Sequence, residues 1–365
     1  MNPRTTELRV ALLGQGFMGK AHSNAFAQVS RFFDTPYKLR MQVLCGRDSA
    51  SLAANASAWG WEETASDWRA VVDRSDIDII DIALPNHMHR DVAIASLKAG
   101  KIVFCEKPLA NTAEHAREMV AAAQGLRTMV WFNYRRVPAV AYASELIQGG
   151  HIGQVFHYRG MYQQQWGPDK SRPVTWKMDP EQAGHGVIGD LLSHSVDIAL
   201  LLNGEIQELS ALSHIFFQGR HVEDAVLSLL RFKNGSVGSL EATRYGIGHL
   251  NGNAFEVQGE KGMLRFDLED INRLEFFDAT DAAPLQGTRR IMVTDQMHPY
   301  GKEFWRPGHV IGYEHTFIAA LGDFLHALAK DAPFHPDFKD GLRVQEILDT
   351  VVRAANSKRW ESITA

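Results

Sequence analysis

The chain has 365 residues, 45% of them hydrophobic and 22% charged, with a formal net charge of -5. That length exceeds one usual core and predicts two domains of ordinary globular composition. The mild negative charge, with Lys and Arg nowhere bunched into runs, argues against a nucleic-acid partner. The apolar run in MNPRTTELRVALLGQG is too short for a signal-peptide core, and no other stretch reads as a membrane span. A cytoplasmic protein is expected. Cys45 and Cys105 each close a β-like run without C-x-x-C spacing, which predicts buried free thiols.

The first third alternates strand and helix. Short apolar strands are predicted at Leu8–Leu13, Met41–Cys45, Ile77–Leu84, Ile102–Cys105 and Thr128–Phe132, as in a parallel sheet buried on both faces. Helical patterns fall between them at Gly19–Val29, Ser49–Trp59, His89–Ala99 and Ala113–Gln124. Residues 31–38 read as an inserted loop. This βαβ alternation predicts a doubly wound α/β Rossmann domain over residues 1–135.

The pattern changes near Pro138. After a helix ending at Gly149-Gly150, strands dominate: Val155–Gln164, Ile206–Phe217, Ala225–Phe232, Ser236–Arg244, Ala254–Gln258, Met263–Asp267, Leu274–Asp278 and Arg290–Val293. Asn234-Gly235 predicts a tight hairpin in which both residues tolerate positive φ. Two helices, Tyr313–Lys330 and Lys339–Ser357, close the chain. Residues 136–365 are thus expected to form an α+β domain with a large, mostly antiparallel, open-faced sheet.

Gly14-Gln15-Gly16-Phe17-Met18-Gly19 fits G-x-G-x-x-G directly after the first strand and at the start of a helix, which makes a weak pattern informative. Gly14 permits the turn, Gly16 lets a pyrophosphate approach the backbone, and Gly19 lets helix and strand pack closely. The helix N-terminus, with Phe17 and Met18, then carries the phosphate charge. An acid ending the second strand would hold a ribose hydroxyl and select NAD; Gly46-Arg47-Asp48 stands there instead. Arg47 could grip a 2′-phosphate and Asp48 could swing in to hold a hydroxyl, so NAD(H) and NADP(H) both stay open, with a lean toward NADP.

Cys105-Glu106-Lys107-Pro108 ends the fifth strand, at the edge where doubly wound sheets bind ligands. Lys107 there can stabilise an alkoxide, although a surface position is the usual fate of a lysine. In Gly189-Asp190-Leu191-Leu192-Ser193-His194-Ser195-Val196-Asp197, a helix from Gly189 would set Asp190, His194 and Asp197 at i, i+4 and i+7 on one face. An imidazole titrates near neutrality, so His194 can take a hydroxyl proton, and Asp190 can orient it or accept from substrate. A hydrogen-bonded core pair competes with that reading. So does zinc, which would need His185 or Asp197 as a third ligand; no metal is expected.

These residues resemble the glucose–fructose oxidoreductase / inositol dehydrogenase / MocA (Gfo/Idh/MocA) oxidoreductases. The matching pieces run through the whole chain: GQGFMGKAH at 14–22, SDWR at 66–69, ALPNHMH at 83–89, CEKPLA at 105–110, NYRRVPA at 133–139, GDLLSHSVD at 189–197 and GEKGML at 259–264. The resemblance implies that Lys107, Asp190 and His194 are catalytic and that Asn86 and Glu106 line the cofactor. It also implies that the open sheet face pairs subunits into homodimers or homotetramers. The NYRR segment, with Tyr134, and the HPYG…W region at 298–305 look most like sugar dehydrogenases of the levoglucosan type. Gly46-Arg47 departs from those, which carry an acid there.

Tyr162, Trp166 and Trp176 bracket Gln163-Gln164-Gln165. Aromatic faces beside amides are the mix that a sugar ring needs, so Trp166 and Trp176 join Tyr134 as expected substrate contacts, with core packing as the alternative for any one of them. The expected function is hydride transfer between a secondary alcohol of a cyclic sugar, anhydrosugar or cyclitol and a nicotinamide. The alternatives are an NAD-dependent glycosidase working by oxidation, elimination, addition and reduction, and a non-catalytic cofactor-binding regulator.

Overall fold

The computed structural model describes residues 6–169, 171, 175–217 and 219–363. They group into two compact units, Met1–Asn133 with Tyr313–Arg343 and Tyr134–Gly312 with Val344–Ala365. The sequence pattern places the boundary at 135 and keeps everything after it in the second domain. The contacts instead give residues 313–343 to the first unit. The reason is burial: the helix Tyr313–Ala329 packs Phe324 edge-on to Phe104 at 4.7 Å and sets Phe317 5.6 Å from Trp131.

In the first unit the strands are Thr6–Leu13 (β1), Tyr37–Cys45 (β2), Glu63–Ala65 (β3), Ile79–Ile82 (β4), Ile102–Cys105 (β5) and Thr128–Val130 (β6). They form a parallel sheet in the order β3-β2-β1-β4-β5-β6, the doubly wound order of dinucleotide-binding domains. The last four residues of β1, Val10 to Leu13, are fully buried, as a strand covered by helices on both faces must be. The helix Phe17–Phe32 runs on past Val29, and β2 begins at Tyr37. Of the expected loop at 31–38, only residues 33–36 lie outside helix and strand. Edge strand β3, only Glu63-Thr64-Ala65, has no apolar run to betray it. Cys45 and Cys105 are buried and free.

The second unit's strands are Val155–Gln163 (β7), Ile206–His214 (β8), Ala225–Phe232 (β9), Val237–Thr243 (β10), Gly252–Gly259 (β11), Gly262–Asp267 (β12), Arg273–Asp278 (β13), Thr288–Met292 (β14) and Glu361–Ser362 (β15). Their order is β14-β13-β12-β11-β7-β10-β9-β8-β15, with β7 and β10 parallel and the other pairs antiparallel. Period-2 alternation decides which face is covered. In β9, Val226, Leu230 and Phe232 are buried while Leu227 and Leu229 point outward and are half exposed or more. Leu212 and Val237 join them on the open face.

The β9–β10 hairpin turns at Asn234-Gly235, but only Gly235 has positive φ (88°). Asn234 instead accepts from the Ser236 backbone N–H at 3.0 Å and donates to the Asn203 carbonyl at 2.9 Å. One helical stretch among the described residues, Pro180–Asn203, is long and apolar enough to cross a membrane, where the sequence pattern shows none. Its apolar window is 78% buried inside the fold, so that apolarity serves the core.

Candidate active site

In the first unit, a candidate nucleotide site is built on the carboxyl ends of β1, β2, β4 and β5. Gly14 has φ +124°, and a Cβ there would lie 2.2 Å from the Ala83 carbonyl oxygen. A Cβ on Gly19 would lie 2.2 Å from the Gly14 oxygen. At Gly16, the N-cap of helix Phe17–Phe32, a Cβ would meet nothing within 4 Å, and no side chain caps the helix. Two glycines are thus required by the chain's own packing, whereas the third faces open space above first-turn N–H groups that no carbonyl of the helix can satisfy. That is the cradle a pyrophosphate needs, so these residues fit a dinucleotide. Phe17 is 73% exposed and lies 6.2 Å from the Tyr313 ring, nearly parallel to it, and Met18 is partly exposed.

After β2, Arg47 is exposed. Asp48 is committed to the next helix: it accepts from the Ala50 N–H at 3.2 Å and the Ser51 hydroxyl at 2.6 Å. Those bonds, that of Ser51 first, hold its carboxyl below the usual range. Asn86 is buried at the start of the turn Asn86–Met88, after β4. After β5, Glu106 is buried and Lys107 half-buried, with a cis peptide joining Lys107 to Pro108.

Beneath this edge lies a network that the sequence pattern misses. His22, fully buried, has Nδ1 2.9 Å from Asp81 Oδ2 and Nε2 3.1 Å from Glu106 Oε1. Trp131 donates from Nε1 to Asp81 Oδ1 at 2.8 Å and stacks on the imidazole, centroids 4.2 Å apart. The other oxygen of Glu106 accepts from the Lys107 backbone N–H at 3.0 Å. The available signal was one histidine among Gly19, Ala25, Phe26 and Val29 on the buried face of its helix.

The second unit carries the Asp190–His194 segment. The predicted regular helix from Gly189 is instead a π turn, Ile188–Leu192, running into an α-helix, Ser193–Asn203. The wider turn breaks the i, i+4, i+7 stripe, a distortion found often at functional sites. His194 is buried with the Tyr134 ring 4.6 Å away and Tyr162 at 5.9 Å. Asp190 accepts from Lys177 Nζ at 3.0 Å and Arg244 Nη2 at 3.1 Å. Asp197 does not share a polar face with them: Arg135 grips both its oxygens at 2.9 Å in a buried pair. A zinc reading thereby loses one of the two residues it could draw on.

Tyr134 and Tyr162 touch through their hydroxyls at 3.1 Å, and Tyr162 donates to Asn251 Oδ1 at 2.8 Å. Gln164 donates to the same oxygen at 2.8 Å and accepts from Trp166 Nε1 at 2.7 Å. The Arg244 guanidinium lies 4.8 Å from the Trp166 ring centroid. Trp176, partly exposed in the turn Trp176–Met178, has the Lys177 ammonium 5.9 Å from its ring. Tyr134 and Trp166 thus belong to one hydrogen-bonded wall around His194, and Trp176 adjoins it through Lys177. Sequence reasoning missed Asn251, Arg244 and Lys177.

Known proteins carry the same pattern. Residues 8–134 match the oxidoreductase family with an NAD-binding Rossmann fold, and 140–265 match the GFO/IDH/MocA C-terminal domain. Levoglucosan dehydrogenase of Pseudarthrobacter phenanthrenivorans is 38% identical, covering 98% of each chain. An oxidoreductase domain protein from Kribbella flavida superposes with a TM-score of 0.96 at 42% identity, covering 99% of this chain and 100% of that one. A levoglucosan dehydrogenase in complex with NADH and levoglucosan superposes at 0.95 with 38% identity, covering 98% and 100%. The cofactor cradle, the Lys107 and His194 segments and these full-length matches agree: the chain belongs to the GFO/IDH/MocA family of NAD-binding oxidoreductases.

Proposed function

We propose that this oxidoreductase oxidises a secondary alcohol on a cyclic sugar, anhydrosugar or cyclitol. The observation that carries the substrate class is the wall around His194. Tyr134, Tyr162, Asn251, Gln164 and Trp166 are linked through hydroxyls and amides beside aromatic rings, which suits a ligand with C–H faces and many hydroxyls. The relative bound to levoglucosan and NADH supports the same class.

Bound nicotinamide would supply the hydride acceptor. His194 takes the hydroxyl proton, and the Lys107 ammonium stabilises the alkoxide charge that develops as the carbon-bound hydrogen leaves. Asp190, held by Lys177 and Arg244, offers a fixed carboxylate to a substrate hydroxyl. Gly14, Gly16, Phe17, Met18 and Gly19 hold the pyrophosphate, and Asn86 and Glu106 line the nicotinamide side. For the adenosine end we propose NADP: Arg47 is exposed and available to a 2′-phosphate, whereas Asp48 is held by its helix cap. The open sheet face, with Leu212, Leu227, Leu229 and Val237, pairs with a second copy of the chain.

The deciding experiment mixes purified protein with NAD or NADP and a panel of sugars, anhydrosugars and cyclitols, following reduced cofactor at 340 nm, the usual absorbance band of reduced nicotinamide. Sustained reduction with one member supports the reading. Conversion of a glycoside with no net reduced cofactor would overturn it in favour of a glycosidase. Sedimentation of wild type and Leu229→Glu tests the pairing, which a monomeric wild type would exclude.

A further inference from the structure

We propose that His22 is a positioning residue for Lys107: a buried imidazolium, bonded to Asp81 and Glu106 at once, that fixes the carboxylate gripping the Lys107 backbone. This deepens the proposed function and rests on Lys107 being catalytic.

The argument is one of donors and acceptors. A neutral imidazole has one N–H, and an ionised carboxylate only accepts. His22 presents both ring nitrogens to carboxylate oxygens, at 2.9 and 3.1 Å. The remaining oxygens of those carboxylates already accept, from Trp131 Nε1 and from the Lys107 backbone N–H. With both carboxylates ionised, all four oxygens accept, which puts the protons on the ring. The indole face stacked 4.2 Å away also favours a cation.

Burial alone would depress the pKa of His22, but Asp81 and then Glu106 raise it to about 9. The groups facing it are Asp81 from β4, Glu106 from the end of β5, Trp131 from beyond β6 and Phe317 from the helix Tyr313–Ala329. The Cys105 thiol, pushed up by burial and by both carboxylates, adds no charge. Burial lowers the pKa of His89, which also feels the charge of Glu106. The chain of contacts then runs from imidazolium to carboxylate to the amide of the residue that does the chemistry. Without the ring charge, Glu106 loses an anchor, and its bond to the Lys107 backbone N–H loosens.

The test combines 15N-histidine NMR of the cofactor-free protein with kinetics of His22→Gln and Lys107→Ala. Wild type should show one histidine with both ring nitrogens protonated up to about pH 8, well above the ordinary range near 6.5, and His22→Gln should lack that signal. His22→Gln should lower kcat by roughly 10- to 100-fold, the scale of a small misplacement in an active site, with substrate KM shifted far less. A neutral tautomer for His22 at pH 7 would overturn the proposal even if the variant does not fold. So would a folded His22→Gln with normal kcat beside an inactive Lys107→Ala. Normal turnover in Lys107→Ala instead removes the Lys107 reading, and the proposal with it, whatever the spectrum shows.

Discussion

Arg244 holds Asp190 from within the fold: Nη2 donates to Oδ2 at 3.1 Å, and the arginine side chain is 1% exposed. Asp190 is 16% exposed and keeps Lys177 on its other oxygen. Arg244→Gln should therefore cost about 1–3 kcal/mol, a charged hydrogen bond rather than a wholly abandoned buried charge. Turnover should fall as well, because Asp190 would follow Lys177 toward solvent. An unchanged urea midpoint and unchanged kcat would show that the pair positions nothing.

Lys107→Ala should cut turnover by about 10²–10³-fold, the usual cost of losing an oriented charge that acts in the transition state. Cofactor affinity should hardly change, since the cradle at Gly16 is independent of this side chain. Fluorescence titration with reduced cofactor, alongside kcat, separates the two effects. A large loss of cofactor affinity with normal kcat would make Lys107 a binding residue.

His194→Asn should slow the reaction roughly 10²–10⁴-fold, the range for losing a general base. It should also abolish the rise in rate with pH that a deprotonating imidazole produces. Asp190→Asn should slow chemistry while leaving that limb in place. A rate–pH profile with the same rising limb in His194→Asn assigns the base elsewhere.

Parts of this site were legible in the residues, for physical reasons. Gly14 and Gly19 are written into the sequence by steric demand within one βα turn, and Lys107 by its place at a strand end. The π turn was not legible, because ring size in a helix depends on tertiary packing rather than on residue types at Ile188–Leu192. His22 looks like one polar residue on an apolar helix face until β4 and β5 bring Asp81 and Glu106 to it. Asn251 reaches Tyr162 and Gln164 only because β11 pairs with β7, a partnership of strands some ninety residues apart that no local pattern encodes. The docking of helix Tyr313–Ala329 back onto the first unit is the same kind of long-range fact.

Stability should depend on pH through His22. Its folded pKa of about 9 lies above the ordinary 6.5, so protonation favours the folded state. This contribution is complete below pH 6.5 and fades as pH rises through about 9. Thermal melts of wild type and His22→Gln from pH 6 to 10 check it, with the gap between them narrowing as the wild-type ring deprotonates. A gap that stays constant across the range would mean that His22 contributes shape rather than charge.

The choice of cofactor at the adenosine end is tested at Arg47. It follows Gly46 at the end of β2, where an acid would hold a ribose hydroxyl and repel a phosphate. Adding a side chain at Gly46 would itself meet Gln15, whose Cδ lies 2.8 Å from where the Cβ would stand. Gln15 in turn donates to the Asp48 carbonyl at 3.2 Å, so this corner is packed around a small residue. Asp48 faces its own helix, which leaves the exposed guanidinium as the group available to a 2′-phosphate. Arg47→Ala should then cost about 1.5–3 kcal/mol of NADP affinity, the scale of a charge-assisted hydrogen bond. NAD affinity should barely move, because a hydroxyl gives the guanidinium no charge to meet. Equal losses for both cofactors, read by titration calorimetry, would indicate stacking on adenine instead. A wild-type enzyme that prefers NAD by about tenfold, or 1.4 kcal/mol, would refute the NADP assignment and return the ribose to Asp48.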